Sequence, residues 1–130
     1  MDKRIRIYTA SKLSEASRWR LLKEAWPEVE FTARWPFKHV EFVPDIHTFA
    51  TVFWDHDLED VNSSDGVLIY GEPDHKLRGA LVEVGMALAL GKFVIAVGDH
   101  EDYSTWQYHR NVYRVHDLEE AKLLLLTMSL

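Results

Sequence analysis

One glutamate stands alone in an apolar helix. In RGALVEVGMALALGK, Arg78 to Lys92, every residue from Ala80 to Leu90 is apolar or glycine except Glu83. A helix that is apolar all round is normally buried, and a buried carboxylate without a partner is costly. At helical spacing its neighbours are Gly79, Ala80, Met86 and Ala87, so no ion pair along the helix neutralises it. Either the carboxylate reaches a solvent cleft, or something else in the fold needs it. A carboxyl withdrawn from water has a raised pKa, and a hydroxyl donating to the ionised form counters that rise. Tyr8, at the end of the first expected strand, is a candidate donor. Plainer readings stand beside these. A Glu in the first helical turn suits the macrodipole and capping, and a strand-end Tyr8 suits simple packing. Asp57 fits a helix cap or a solvated acid, and Asp65 fits the structural entry to a strand.

Other chemistries find little support. The glycines at 66, 71, 79, 85, 91 and 98 match neither the dinucleotide fingerprint nor the Walker loop. None of the seven histidines forms an H-x-x-x-H pair. His100 and His109 read as exposed loop residues, and no nucleophile elbow is present. There are no cysteines, which excludes disulfides, thiolate zinc sites and a cysteine nucleophile. No metal site and no cofactor are expected. With 21 acids against 15 bases, the net charge of -6 argues against a nucleic-acid polymer as partner. It leaves room for small anionic ligands, which need only a few local donors. The start, MDKRIRIYTAS, lacks the apolar region of a signal peptide. No run approaches the ~18 apolar residues of a membrane span. A cytoplasmic protein with no membrane partner is the expectation.

These residues need a scaffold, and the pattern supplies one. RIRIYTA predicts a strand over about Arg4 to Thr9. Ser11 or Ser14 is placed to cap the helix of SEASRWRLLKEAW, which Pro27 ends. EVEFTARW predicts a short second strand, and Pro36 to Pro44 a loop. From Asp45 to Ser64 the pattern is helical, with Ile46, Phe49, Ala50, Phe53 and Trp54 on one apolar face. The polar DHDLEDVNSSD predicts an interruption and a second helix start near Asp55 or Asp57. GVLIYGEPD and KFVIAVGD read as buried parallel strands that end in loops. Between them lies the Glu83 helix, stopped by Gly91. After an irregular segment from His100 to His109, NVYRV predicts a short strand. DLEEAKLLLLTM closes as a helix capped by Asp117.

Strands alternating with helices imply right-handed crossovers and an open parallel sheet. The expected class is α/β, a Rossmann-like or flavodoxin-like single domain over 1–130 with helices on both faces. Ligands of such sheets bind beyond the carboxyl ends of the strands, near the switch in strand order. Tyr8 to Ser14, Gly71 to Gly79 and Gly98 to Trp106 arrive there, and Glu83 can face that pocket. Gly85, costly inside a helix, is expected where a backbone or ligand approaches closely. Trp35 and Trp106 are candidate stacking partners for a flat ring.

Three stretches, IYTAS, HDLEDVNSSDGVLIY and GALVEVGMALALGKFVIAVG, together resemble the nucleoside 2-deoxyribosyltransferase superfamily, which includes the deoxynucleoside 5′-monophosphate N-glycosidases. Gly79 to Lys92 is similar to its G-x-x-x-E-x-G-x-A-x-A-x-G-K pattern. The resemblance implies that Glu83 is a nucleophile on the anomeric carbon and that Tyr8 positions it. It also implies that Asp57 binds sugar hydroxyls, with Asp65 at the far end of the same motif. Glu72 and Asp74 are the acids nearest to the family's base-handling aspartate, at a different spacing. Near the places of its phosphate-binding serines stand Ser11, Lys12, Ser14, Lys76, Leu77 and Arg78. With Trp35 and Gly79 they complete the expected substrate site. The implied partner is a small nucleoside or nucleotide.

The chemistry suits a carboxylate, which stabilises an oxocarbenium-like state and traps it as a glycosyl ester. Tyr8, Trp35, Phe37 and Trp106 supply flat surface for a stacked base, which leans towards transfer to a second base. Lys12, Lys76 and Arg78 favour the alternative, hydrolysis of a 5′-monophosphate. A reading of another class is a catalytically silent nucleotide-binding module. Four consecutive leucines, Leu123 to Leu126, predict a homodimer or larger assembly, as does the resemblance. Tyr103 to His109 is the segment expected to reach a second subunit's site.

Overall fold

The computed structural model describes residues 4–38 and 46–129, with 46, 48 and 49 described in backbone only. Ile46 and Phe49 of the expected apolar face, and most of the expected loop to Pro44, therefore lie outside what is described. Five strands form one sheet in the order β2-β1-β3-β4-β5. They are β1 (Ile5–Ala10), β2 (Val29–Phe31), β3 (Gly66–Ile69), β4 (Phe93–Val97) and β5 (Val112–Val115), and every neighbouring pair is parallel. The helices are α1 (Ala16–Ala25), α2 (Ile46–Ser63), α3 (Arg78–Ala89) and α4 (Leu118–Met128). The expected α/β class and open parallel sheet are thus present.

The burial pattern follows from the layering. β3 is buried at all four positions, as a central parallel strand covered on both faces must be. Ile7, Leu68, Ile69, Val94 and Ile95 have no exposed surface and form the middle of the core. The chain leaves β1 for β2 on one side, then returns past β1 to β3 on the other. That reversal puts the switch point between β1 and β3. α2 and α3 pack against each other, while α4 lies over β1, β4 and β5. Reversed direction with right-handed crossovers puts α1 on the opposite face from α2 and α3.

Several local expectations need correction. α2 is one unbroken helix, and neither Asp55 nor Asp57 starts a new one. Its polar residues are tolerated because they are spent on tertiary partners. Arg34 donates to the buried Asp60 through its backbone N–H at 2.9 Å and through Nε at 2.9 Å. Ser11 and Ser14 do not cap α1, which is entered through a 3-10 turn at Leu13–Glu15. Ser11 Oγ instead accepts from Trp19 Nε1 at 2.8 Å. Other expectations hold. Asp65 accepts from the Arg6 N–H at 2.8 Å, which fixes the entry to β3. Asp117 caps α4 by accepting from the Glu120 N–H at 2.8 Å. Gly91 follows α3 at φ 73°, a left-handed conformation that only glycine takes freely.

Candidate active site

Beyond the carboxyl end of β1, beside the switch point, lies a cavity of about 390 Å³. Four segments build it: the turn after β1, the 3-10 turn at Trp35–Phe37, α2, and the start of α3. Glu83 sits on its lining although only 5% exposed. It is the sixth residue of α3, in the second turn rather than the first, so end-of-helix electrostatics do not explain it. Tyr8, buried within β1, donates its hydroxyl to Glu83 Oε2. The strand and the helix therefore meet through their two polar side chains. Burial pushes the Glu83 carboxyl up to about 8. The Tyr8 hydroxyl works against that rise by favouring the charged form.

Asp57 also lines the cavity, 8% exposed, from the middle of α2. Its Oδ1 is buried. Burial pushes this carboxyl up to about 6, against the pull of the Lys38 ammonium. Of the acids in DLEDVNSSD, Asp60 is taken by Arg34 and Asp65 by Arg6, while Asp57 Oδ1 has no partner among the described residues.

The rim is cationic and the walls are flat. Lys12, Lys76 and Arg78 stand at the cavity together with Ser11 and Gly79. Trp35 forms one wall, its Nε1 donating to the Thr9 carbonyl at 2.8 Å. Trp54 forms another, and a Cβ added at Gly79 would lie 3.8 Å from its ring. Of the sequence-predicted residues, the cavity thus collects Glu83, Asp57, Ser11, Lys12, Trp35, Lys76, Leu77, Arg78 and Gly79, with Tyr8 behind Glu83. Glu72 and Asp74 do not line it. Glu72 accepts from the Tyr70 hydroxyl and lies 3.5 Å from Arg18, on the far side of the loop. Ser14, Phe37 and Trp106 are outside as well. Lys23 covers the Phe37 ring, and Trp106 packs on Tyr103.

Sequence reasoning placed Phe53 and Trp54 on an apolar helix face without assigning them to a site, and both line the cavity. A signal was available: they stand four and three residues before Asp57, which puts all three on one side of a helix. Lys38, whose ammonium lies 4.5 Å over the Phe53 ring, carried no such signal. Gly85 is a further correction. A Cβ there would meet nothing within 4 Å, so no backbone among the described residues approaches that face. His100 is buried rather than exposed. The segment Tyr103 to His109 lines no part of this cavity, and its Tyr108 is exposed. Among the described residues, no group of three or more His, Asp or Glu side chains is placed to hold a metal ion. Among them, too, no helix is long and apolar enough to cross a membrane.

No protein-family model matches the chain. Over 89 residues it is 30% identical to a nucleoside deoxyribosyltransferase of Lactobacillus leichmannii, a match covering 64% of this chain and 56% of that protein. The match thus spans little more than half of that relative's length. In fold the chain is similar to the CMP N-glycosidase of Clostridium botulinum, with a TM-score of 0.56. That likeness covers 94% of this chain and 98% of the other at 18% identity. The sequence relative thus carries the name of the family that the motifs resemble, and the solved structure shares the fold.

Proposed function

We propose that this chain cleaves the N-glycosidic bond of a 2′-deoxynucleoside or its 5′-monophosphate, with Glu83 as nucleophile. The observation that carries the reading is the buried Glu83 carboxyl, held by Tyr8 on the lining of a cavity that Asp57 also lines. In the first step Glu83 attacks the anomeric carbon, forming an ester as the bond to the base breaks. The base leaves with the bonding electrons and picks up a proton. In the second step water, or another base, attacks the same carbon and the carboxylate departs. Positive charge on the sugar ring peaks in both transition states, beside a carboxylate in a low-dielectric wall. Asp57 accepts a sugar hydroxyl. Trp35 and Trp54 offer faces on which a base stacks.

The same cavity favours a phosphorylated substrate. Lys12, Lys76 and Arg78 gather at its rim. Of the residues that argued for handling a second base, Glu72, Asp74, Phe37 and Trp106 lie outside it, while Trp35 lines it and Tyr8 stands behind Glu83. The preferred form of the reading is therefore hydrolysis of a deoxynucleoside 5′-monophosphate. Transfer between bases is the second reading, favoured by the named activity of the sequence relative.

A panel of deoxynucleosides and their 5′-monophosphates, assayed for free base with and without a second base, tests this. Wild-type protein is expected to release base, fastest from a monophosphate. Glu83→Ala is expected to fold and to lose at least about 10³-fold in rate, the scale seen when a nucleophile is removed. Turnover at the wild-type rate in folded Glu83→Ala would overturn the assignment. An exchanged nucleoside on chromatography would favour transfer. Tight nucleotide binding without base release would favour the silent binding module.

A further inference from the structure

The loop that follows β4 takes no part in the cavity, yet it is tied to the loop that does. We infer that His100 and Asp102 form a positioning brace that fixes the start of α3, and with it Lys76 and Arg78, for an anionic group of the substrate. The inference rests on the proposed function for what is bound, but its geometry stands apart from it.

His100 spans the two loops. Its Nδ1 accepts from the Asp102 N–H at 2.9 Å, and its Nε2 lies 3.0 Å from the Glu72 carbonyl. An Nδ1 that accepts carries no proton, so the proton is on Nε2 and is donated to Glu72. The imidazole is thus neutral, although the Asp102 carboxylate is 3.9 Å away. Asp102 Oδ2 then accepts from the Leu77 N–H at 2.9 Å. Leu77 immediately precedes α3, where a carboxylate is favoured by the helix dipole. Lys76 and Arg78 are its direct chain neighbours, so pinning this one amide fixes where both side chains leave the backbone.

The surroundings are built for that contact. Gly71 has no Cβ where one would stand 2.8 Å from the Leu77 side chain and 3.2 Å from His100. Tyr103 packs against His100 with ring centroids 5.5 Å apart. Its hydroxyl sits 2.9 Å from the Val97 carbonyl and 3.2 Å from that of Ile69, the last residues of β4 and β3. The brace is therefore anchored on the sheet itself. Tyr8 also holds Glu83 from β1. Glu83, further along the same helix, thus has a second support of its own in addition to the pinned start of α3.

This second support makes the inference testable. His100 is deeply buried, so its removal risks the fold. Asp102, with a side chain 30% exposed, is the better position. Asp102→Ala is expected to raise KM for a deoxynucleoside 5′-monophosphate roughly tenfold, the scale of one hydrogen bond to a charged group. Its kcat and its KM for the unphosphorylated nucleoside are expected to stay within about twofold. Asp102→Asn keeps an oxygen for the Leu77 N–H and is expected to restore most of the lost affinity. Hydrogen exchange at the Leu77 amide reads the brace without turnover, and should quicken in Asp102→Ala but not in Asp102→Asn. Unchanged exchange, or an equal rise of KM for nucleoside and monophosphate, would overturn the brace. If the wild type releases no base from any nucleotide, the proposed function fails. The brace is then judged by Leu77 exchange and by inorganic phosphate binding, which should weaken in Asp102→Ala only.

Discussion

Glu83 meets two opposed demands. Chemistry needs its carboxylate ionised, while its surroundings favour the neutral acid and push it up to about 8 from the ordinary 4.5. The folded state therefore holds a proton that the unfolded chain has lost between about pH 4.5 and pH 8. Stability falls as pH rises through that window wherever the unfolded state binds fewer protons. The slope for one such group approaches ~1.4 kcal/mol per pH unit. Below the window both states are protonated, and above it both are ionised, so the slope vanishes at each end. Glu83→Gln keeps the size and removes the titration. Denaturant unfolding of wild type and variant from pH 5 to pH 8 is expected to open a gap in the variant's favour as pH rises. Parallel curves would show that the carboxyl is already ionised in the fold, with the Tyr8 hydroxyl outweighing burial. In the sequence Glu83 stood out as one charge in an otherwise apolar helix, beside the plainer reading of a first-turn acid, and its place in the second turn removes that plainer reading.

At the scale of elements, legibility followed how local the cause was. β3 and β4 were readable as short apolar runs, and the Asp117 cap as an acid before a helical pattern. α2 was not. Its polar second half reads as an interruption because the partners that satisfy it, Arg34 for Asp60 and the cavity for Asp57, are remote in sequence. The same remoteness hid the cavity role of Phe53 and Trp54, since periodicity gives a face but not what lies opposite. It hid His100 too, whose bond to the Glu72 carbonyl crosses to the loop after β3. On α3, Gly85 was expected to mark a close approach, and among the described residues there is none. An exposed glycine inside a helix costs about 1 kcal/mol relative to alanine. Gly85→Ala is accordingly expected to raise the unfolding free energy by about that amount, read from the urea midpoint at unchanged slope. A loss of stability would mean that something outside the described residues occupies the space beside Gly85.

That possibility belongs to the whole molecule. The run Leu123 to Leu126 suggested an assembly face on α4, but the chain itself disposes of most of it. Leu125 is fully buried, Leu124 and Leu126 are half-buried, and only Leu123 stands out at 65% exposure. Other exposed apolar side chains lie on the packed pair α2 and α3, Trp54 and Leu58 on one side of α2 and Val82 on α3. An apolar surface of this kind beside a ligand cavity is characteristic of an interaction site. A twofold-symmetric contact buries the same patch on both copies. Its position next to Trp54 would bring a second copy close to the mouth of the cavity. Wild-type protein is therefore expected to show at least a dimeric mass by light scattering at micromolar concentration. Val82→Glu sets a charge on this face without touching the cavity lining, and is expected to reduce that mass to the monomer's. Leu123→Glu, on α4, is expected to leave it unchanged. A monomeric wild type would refute the assembly, and dissociation by Leu123→Glu alone would return the interface to the leucine helix.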